Sequence, residues 1–173
     1  MIRGRVHKFG DHIDTDAIIP AGFSHVSDPV ELGRHCMENI DPAFFSRVSP
    51  GDIIMAGSNF GCGSSREFAP WAIQGAGISC VIAKSFARIF FRNAINIALP
   101  LLTCPAAVGG TEEKDILEID LTLGEIRNLT RNTIFTALPY PEFIRELIST
   151  GGLLEYARRI LSQPGGAKEP IRK

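Results

Sequence analysis

Three short apolar segments, separated by stretches of helical character, constrain the fold of this chain most strongly. They span residues 53–56, 80–83 and 99–102, and helices are predicted between them at 65–75 and 86–97. Short apolar runs that do not alternate with polar residues are typical of strands buried on both faces. Strands that alternate with helices along a chain usually form a parallel sheet. The sequence therefore predicts an α/β fold, with parallel strands flanked by helices.

The segments on either side of this unit add further elements. A strand opens the chain, a helix begins at Pro29, and short strands with a turn at Gly124 form a hairpin beside the α/β unit. Residues 1–162 are predicted to form one domain, and the tail 163–173, rich in Gly, Pro and Lys, is predicted to be disordered. The added elements are strands at 2–7, 116–121, 125–129 and 133–138, and helices at 29–40, 42–47 and 141–161, the last interrupted at Gly151.

Composition excludes several classes of partner. The 173 residues are 45% hydrophobic and 21% charged, with a formal net charge of -1. No basic surface is therefore expected to attract nucleic acid or an anionic membrane. No apolar run approaches the roughly 20 residues of a membrane helix, and the N-terminus lacks the apolar core of a signal peptide. The predicted location is the cytoplasm.

The four cysteines lie far apart in the sequence. Cys36, Cys62, Cys80 and Cys104 form no Cys-x-x-Cys pair. A disulfide framework is not expected in a reducing compartment. The spacing does not match a metal or iron–sulfur site, so no metal ligand is predicted in this chain.

Residues 57–67 form the glycine loop, a polar segment rich in groups that bind anions. The loop follows a predicted strand and opens a helix predicted to begin at Ser65, which would offer free N–H groups and a positive dipole end. Arg66 is suited to a two-pronged hydrogen bond with a carboxylate. Ser64 or Ser65 is a candidate base or nucleophile. The loop has neither the Gly-Lys-Ser/Thr ending of a Walker A motif nor a Gly-x-Gly-x-x-Gly spacing, which disfavours nucleotide binding.

These residues alone also permit a structural interpretation. Serine before a helix is most often a capping residue, and glycine-rich turns are common. From its own chemistry the loop is either an anion-binding site or a capped turn.

Two further motifs decide between these interpretations. Gly-Ser-Ser-Arg-Glu stands at 63–67, Ala-Lys-Ser-Phe-Ala-Arg-Ile-Phe-Phe-Arg-Asn-Ala at 83–94, and Asp-Thr-Asp-Ala-Ile-Ile-Pro at 14–20. In this order and separation they resemble the small subunits of 3-isopropylmalate dehydratases, which are equivalent to the swivelling C-terminal domain of aconitase. The resemblance extends from residue 1 to about residue 105. It implies the swivelling β/β/α fold, with parallel strands flanked by helices and additional short β-strands.

The resemblance also implies an activity. Enzymes of this family are hydro-lyases that dehydrate a 2-hydroxy di- or tricarboxylate and rehydrate the alkene in the other sense. The isomerisation of 2-isopropylmalate to 3-isopropylmalate through isopropylmaleate, in leucine biosynthesis, is the expected reaction. A [4Fe-4S] cluster serves as the Lewis acid, and its cysteine ligands belong to a separate large subunit. The chain is therefore expected to be active only in complex with that subunit.

Roles for individual residues carry over by position. Ser64 corresponds to the catalytic base, and Arg66 to the residue that grips a substrate carboxylate. Asp16 is expected to hold an arginine or a substrate group, with a turn-forming aspartate as the alternative. Ser65 and Gly63 are expected to contact the substrate. Asp14 and Thr15 are interpreted as structural, and so is Cys62. Phe68 stands where the family usually has histidine.

In the enzymes that this chain resembles, the segment after the Asp-Thr-Asp motif helps to select the side group of the substrate, and the resemblance implies this role for residues 21–28. Phe23 and Val26 are candidates to enclose an isopropyl group, and His25 is a candidate to meet a carboxylate. The segment lacks an arginine that would pair with a third carboxylate. A dicarboxylate substrate with an apolar branch is therefore favoured over a tricarboxylate. The alternatives are small subunits acting on homocitrate, citramalate or 2,3-dimethylmalate. A non-enzymatic carboxylate-binding module and a phosphate-binding α/β domain are further alternatives.

Overall fold

The computed structural model describes residues 1–162 and contains one mixed sheet of seven strands in the order β4-β3-β2-β1-β5-β6-β7. The predicted tail, 163–173, lies outside the described residues. The strands are β1 Ile2–Lys8, β2 Ile53–Ala56, β3 Cys80–Ala83, β4 Leu101–Thr103, β5 Ile116–Asp120, β6 Glu125–Asn128 and β7 Thr133–Thr136. The helices are α1 Thr15–Ile18, α2 Pro29–Arg34, α3 Phe44–Arg47, α4 Phe68–Gly75, α5 Arg88–Asn96, α6 Pro105–Gly110, α7 Glu142–Ser149 and α8 Leu153–Leu161, with a 3₁₀ turn at Ala21–Phe23.

Strand β1 joins a parallel half of the sheet to an antiparallel half. Its second half pairs in parallel with β2, Val6 opposite Ile53, while its first half pairs antiparallel with β5, Gly4 opposite Leu117. The parallel unit β2-β3-β4 and the hairpin of β5 and β6 confirm the predicted α/β fold with additional short strands. Because β1 to β3 are parallel, the segments that follow them emerge at the same edge of the sheet.

The core has two parts, one on each face of the sheet. Ile54 and Ala56 face one part together with α4, whereas Ile53 and Met55 face the other part together with α6. This alternation follows from the two-residue period of a strand. All four residues of β2 are fully buried, as expected for a parallel strand covered on both sides.

Several helix boundaries differ from the predictions. Helix α4 begins at Phe68 and not at Ser65, because Pro70 lacks an N–H and its ring would clash with the carbonyl of Arg66 in a longer helix. Helix α5 begins at Arg88 and not at residue 86. Ser85 does not cap it, since its hydroxyl accepts a hydrogen bond from the Asn59 N–H at 2.8 Å.

Helix α2 is shorter than predicted, and α6 was not predicted. The chain leaves helical geometry after Arg34, and Met37, with φ of 62°, donates its N–H to the Ile18 carbonyl at 2.8 Å. This contact is made across the fold, so the local periodicity that suggested a helix to residue 40 did not reveal it. Within residues 1–162, no helix has the length and apolar character to cross a membrane.

Candidate active site

The glycine loop and the Asp-Thr-Asp segment are joined by backbone hydrogen bonds. The loop follows β2, and the segment follows β1, the parallel neighbour of β2. Gly61 donates its N–H to the Ile13 carbonyl at 2.7 Å, and Thr15 donates its N–H to the Cys62 carbonyl at 2.8 Å. Asp14 and Cys62 thereby form a parallel bridge. The two motifs that lie about fifty residues apart in the sequence therefore form one surface.

Gly61 allows the loop to lie flat against helix α5. Its φ is +77°, and a Cβ atom at this position would lie 2.1 Å from the Phe90 ring. A side chain is excluded by both conformation and space. Phe60 packs edge-on against Phe90 and Phe86 on the same side, at centroid distances of 5.3 and 6.1 Å. The apolar side of the loop is thus fixed, and Gly63, Ser64 and Ser65 are left exposed.

Arg66 is held by an ion pair, a carbonyl group and an aromatic ring. Its Nη1 lies 2.5 Å from Asp16 Oδ1 and 3.3 Å from the Ile19 carbonyl oxygen. The guanidinium carbon lies 5.9 Å from the centroid of the Phe68 ring, within cation–π range. Phe68 therefore contacts the guanidinium of Arg66 through its ring face.

The guanidinium retains donors for a ligand. Within residues 1–162, the hydrogen bonds of the Arg66 guanidinium use Nη1 alone, and a guanidinium carries five N–H donors. Its side chain is 16% exposed, whereas that of Asp16 is 58% exposed. The remaining donors suit a two-pronged contact with a carboxylate.

Ser64 contacts Thr15 through two oxygen atoms. The Thr15 hydroxyl lies 3.2 Å from the Ser64 carbonyl oxygen and 3.4 Å from Ser64 Oγ. Ser64 does not stand at a helix N-terminus as predicted, because α4 begins at Phe68 and the Arg66 N–H donates to the Ser64 carbonyl at 2.8 Å. The positive charge of the loop therefore comes from Arg66 and not from a helix dipole.

The three residues predicted to select the substrate lie in or just after the 3₁₀ turn. Phe23 stacks on His35, with ring centroids 3.9 Å apart, and both Phe23 and Val26 pack partly against the core. His25 is exposed. The apolar pair thus offers only part of its surface to a ligand, and the roles of all three stay predictions.

Residues that the sequence did not single out also shape the site. The Asn39 side-chain N–H donates to the Asp16 carbonyl at 2.9 Å, and Asp11 Oδ1 accepts the Ser58 N–H at 2.5 Å. The pKa of Asp11 is lowered, mainly by the hydrogen bond from the Ser58 N–H. The positive charge of Lys84 lowers it further. Only the fold reveals these contacts, because Asn39 lies 23 positions from Asp16 in the sequence and Asp11 lies 47 positions from Ser58.

The described part of the chain does not fit an iron–sulfur cluster. Cys36, Cys80 and Cys104 are buried, and burial raises the pKa of the Cys36 and Cys80 thiols. Cys62 is half-buried in the glycine loop. Within residues 1–162, no three His, Cys, Asp or Glu side chains are grouped so that they would hold a metal ion.

Comparisons with known proteins agree with the geometry. A family model described as the aconitase C-terminal domain matches residues 36–106, which include the glycine loop. The 3-isopropylmalate dehydratase small subunit of Caldanaerobacter subterraneus subsp. tengcongensis is 59% identical over 157 residues, which cover 91% of this chain and 98% of the relative. The protein of that name from Methanosarcina acetivorans is 51% identical, covering 94% and 99% of the two chains.

A solved structure is similar over nearly the whole chain. The crystal structure of 3-isopropylmalate dehydratase from Methanocaldococcus jannaschii superimposes with a TM-score of 0.87 at 48% sequence identity. The match covers 91% of this chain and 93% of that chain.

Proposed function

This chain belongs to the family of 3-isopropylmalate dehydratase small subunits, and we propose that it serves a hydro-lyase that interconverts 2-isopropylmalate and 3-isopropylmalate through isopropylmaleate. One observation carries the proposal. Ser64 and Arg66 meet the Asp-Thr-Asp segment on a single exposed surface, where Asp16 holds the guanidinium. That surface combines a hydroxyl, a carboxylate-binding cation and a small-residue loop that a ligand can approach closely.

Each residue of this surface has a role in the proposed reaction. Ser64, as an alkoxide, takes a proton from the carbon next to the hydroxyl-bearing carbon and becomes a neutral hydroxyl; it returns a proton on rehydration. Arg66 binds a substrate carboxylate, and Asp16 orients Arg66. Ser65 and Gly63 contact the substrate on the exposed side of the loop. Phe23, Val26 and His25 contact the side group of the substrate.

The large subunit supplies the remaining half of the site. The exposure of Gly63, Ser64 and Ser65 supports a surface that is closed by a partner. We assign the [4Fe-4S] cluster to that partner, since residues 1–162 hold no suitable ligand group. The cluster supplies the Lewis-acid chemistry for departure of the hydroxyl. A cytoplasmic location fits a chain whose four cysteines are free thiols.

The test is a substrate panel on the reconstituted complex. The chain is mixed with the large subunit of the same genome under anaerobic, reducing conditions, and hydration of isopropylmaleate, citraconate and homoaconitate is measured. Isopropylmaleate is expected to be hydrated with the highest kcat/KM. A higher value for either other alkene would contradict the substrate assignment, and failure to hydrate any of them would contradict the enzymatic proposal.

The same complex tests the assignment of the base. Ser64→Ala is expected to abolish turnover while assembly, followed by size-exclusion chromatography, stays intact. Ser58→Ala is the matched control, because Ser58 lies in the same loop and its backbone N–H, which the change keeps, donates to Asp11. Turnover retained in Ser64→Ala would show that another group is the base.

A further inference from the structure

Thr15 lies between the two motifs of the proposed site and is almost fully buried, at 1% exposure. It is the first residue of α1, directly after Asp14, whose side chain caps that helix by accepting the Ala17 N–H at 2.7 Å. The Thr15 N–H is bound to the Cys62 carbonyl at 2.8 Å. The backbone of Thr15 is therefore fixed both by the capped helix α1 and by its hydrogen bond to the glycine loop.

The hydroxyl of Thr15 faces Ser64. Its oxygen lies 3.2 Å from the Ser64 carbonyl oxygen and 3.4 Å from Ser64 Oγ. Within residues 1–162, Thr15 is the one side chain at hydrogen-bonding distance from the Ser64 hydroxyl. Gly63 leaves room for this contact, since a Cβ atom there would lie 3.1 Å from the Thr15 oxygen.

We propose that Thr15 is a positioning residue that orients Ser64 and donates a hydrogen bond to its oxygen when that oxygen is ionised. The proposal rests on the proposed function of Ser64 as the base. A threonine hydroxyl has one proton and two lone pairs, so it can direct its proton either to the Ser64 carbonyl or to Ser64 Oγ. While Ser64 is neutral, its own proton can point to Thr15, and the Thr15 proton is free to bind the carbonyl.

Ionisation of Ser64 changes which hydrogen bond of the Thr15 hydroxyl is the more stable one. An alkoxide has no proton to donate and is a much stronger acceptor than a carbonyl oxygen, so the Thr15 proton is expected to turn towards it. Hydrogen bonds to ionised oxygens are shorter and stronger than neutral ones, and catalytic contacts commonly tighten in the working complex. The Ser64 carbonyl does not lose its partner in this exchange, because the Arg66 N–H donates to it at 2.8 Å.

The test compares Thr15→Val with Thr15→Ser in the reconstituted complex. Valine has nearly the shape of threonine but no hydroxyl, whereas serine keeps the hydroxyl and loses only the methyl group. Thr15→Val is expected to lower kcat on the order of 10- to 100-fold, with KM changed by less than about threefold, because the lost bond is to a charged group. Thr15→Ser is expected to keep most of the wild-type kcat.

A pH profile separates this role from a merely structural one. Without the Thr15 donor the alkoxide is less stable, so the pKa that governs the rising limb of kcat/KM should increase by about one to two pH units in Thr15→Val. Thr111→Val is the matched control, since Thr111 is also fully buried but contacts Asn128 and not the glycine loop. Its pH profile should match that of the wild type.

Two outcomes would overturn the proposal: a Thr15→Val complex with kcat within twofold of the wild type, or a Thr15→Ser complex as impaired as Thr15→Val. The second outcome would mean that the methyl group matters and not the hydroxyl. Failure of the underlying function gives a different result, because turnover would then be absent in the wild type or retained in Ser64→Ala.

Discussion

At the scale of single residues, Arg66 determines what the proposed site can bind. Asp16 balances its charge, and the Ile19 carbonyl fixes the position of Nη1. The guanidinium carbon lies over the Phe68 ring, 5.9 Å from its centroid. The Phe68 ring carries no hydrogen-bonding group, so its contribution to the site is this contact with the guanidinium.

The planar shape of Arg66, and not its charge alone, is expected to matter for substrate affinity. Arg66→Lys keeps a cation that can pair with Asp16 but loses the two-pronged contact with a carboxylate. The KM for isopropylmalate is expected to rise on the order of 10- to 100-fold. Steady-state kinetics of the reconstituted complex measures this change. Arg47→Lys is the matched control, because Arg47 pairs with Asp41 on the surface, and an unchanged KM in Arg66→Lys would contradict the assignment.

At the scale of elements, helices α2 and α4 pack closely against each other. The two helices meet at glycines, so that their backbones approach closely. A Cβ atom at Gly33 would lie 2.2 Å from the carbonyl carbon of Gly75 and 2.4 Å from the Ala76 nitrogen. These neighbours are backbone atoms at the end of α4, which cannot rotate away as a side chain can.

Gly33→Ala is therefore expected to destabilise the chain. Overpacking of this kind costs about 1–3 kcal/mol of unfolding free energy, because the helices must separate. Thermal or urea unfolding of the isolated chain measures the change. Gly109→Ala is the matched control, since Gly109 also lies in a helix but an added Cβ meets no atom within 4 Å. It should be neutral or stabilising by up to about 1 kcal/mol, and equal stabilities of the two variants would contradict the packing argument.

At the scale of the whole molecule, Asp52 links the start of β2 to β1, the strand that joins the two halves of the sheet. It lies just before β2, is 4% exposed, and accepts hydrogen bonds from the Arg5 N–H at 3.0 Å, the Ser49 N–H at 2.9 Å and His7 Nε2 at 2.8 Å. Burial by itself raises the pKa of this carboxyl. The hydrogen bonds from His7, Ser49 and Arg5 outweigh burial, so that the pKa of Asp52 is lowered overall.

The lowered pKa of Asp52 predicts a loss of stability in acid. Its contribution is present in full above the unfolded-state pKa of about 3.9 and is lost as the pH falls through the lower folded-state value. Urea unfolding measured from pH 7 to pH 3 is expected to show this loss. Asp52→Asn should be less stable than the wild type at pH 7 and should depend less on pH in the acid range. The exposed Asp28→Asn serves as control, and a wild-type pH dependence in Asp52→Asn would contradict the prediction.

The sequence determined those features that depend on neighbouring residues in the chain. The apolar run of β2 specified a strand buried on both faces, and the glycine loop after it specified an exposed turn next to Arg66. Two-residue alternation and turn chemistry are local properties, so they can be read without the fold. The start of α4 was also within reach, since Pro70 excludes a helix that begins at Ser65.

The tertiary structure alone decided which of these local features meet. Parallel pairing of β1 with β2 brings Thr15 to Ser64 across 49 positions of sequence and brings Asp16 to Arg66 across 50. It also makes Ser85 a support for the glycine loop, although serine before a helix is most often a cap. A hydroxyl has several possible partners of similar energy, and the choice among them depends on which atoms the sheet brings within about 3 Å. The sequence therefore supplied the reacting groups, and the fold decided their orientation.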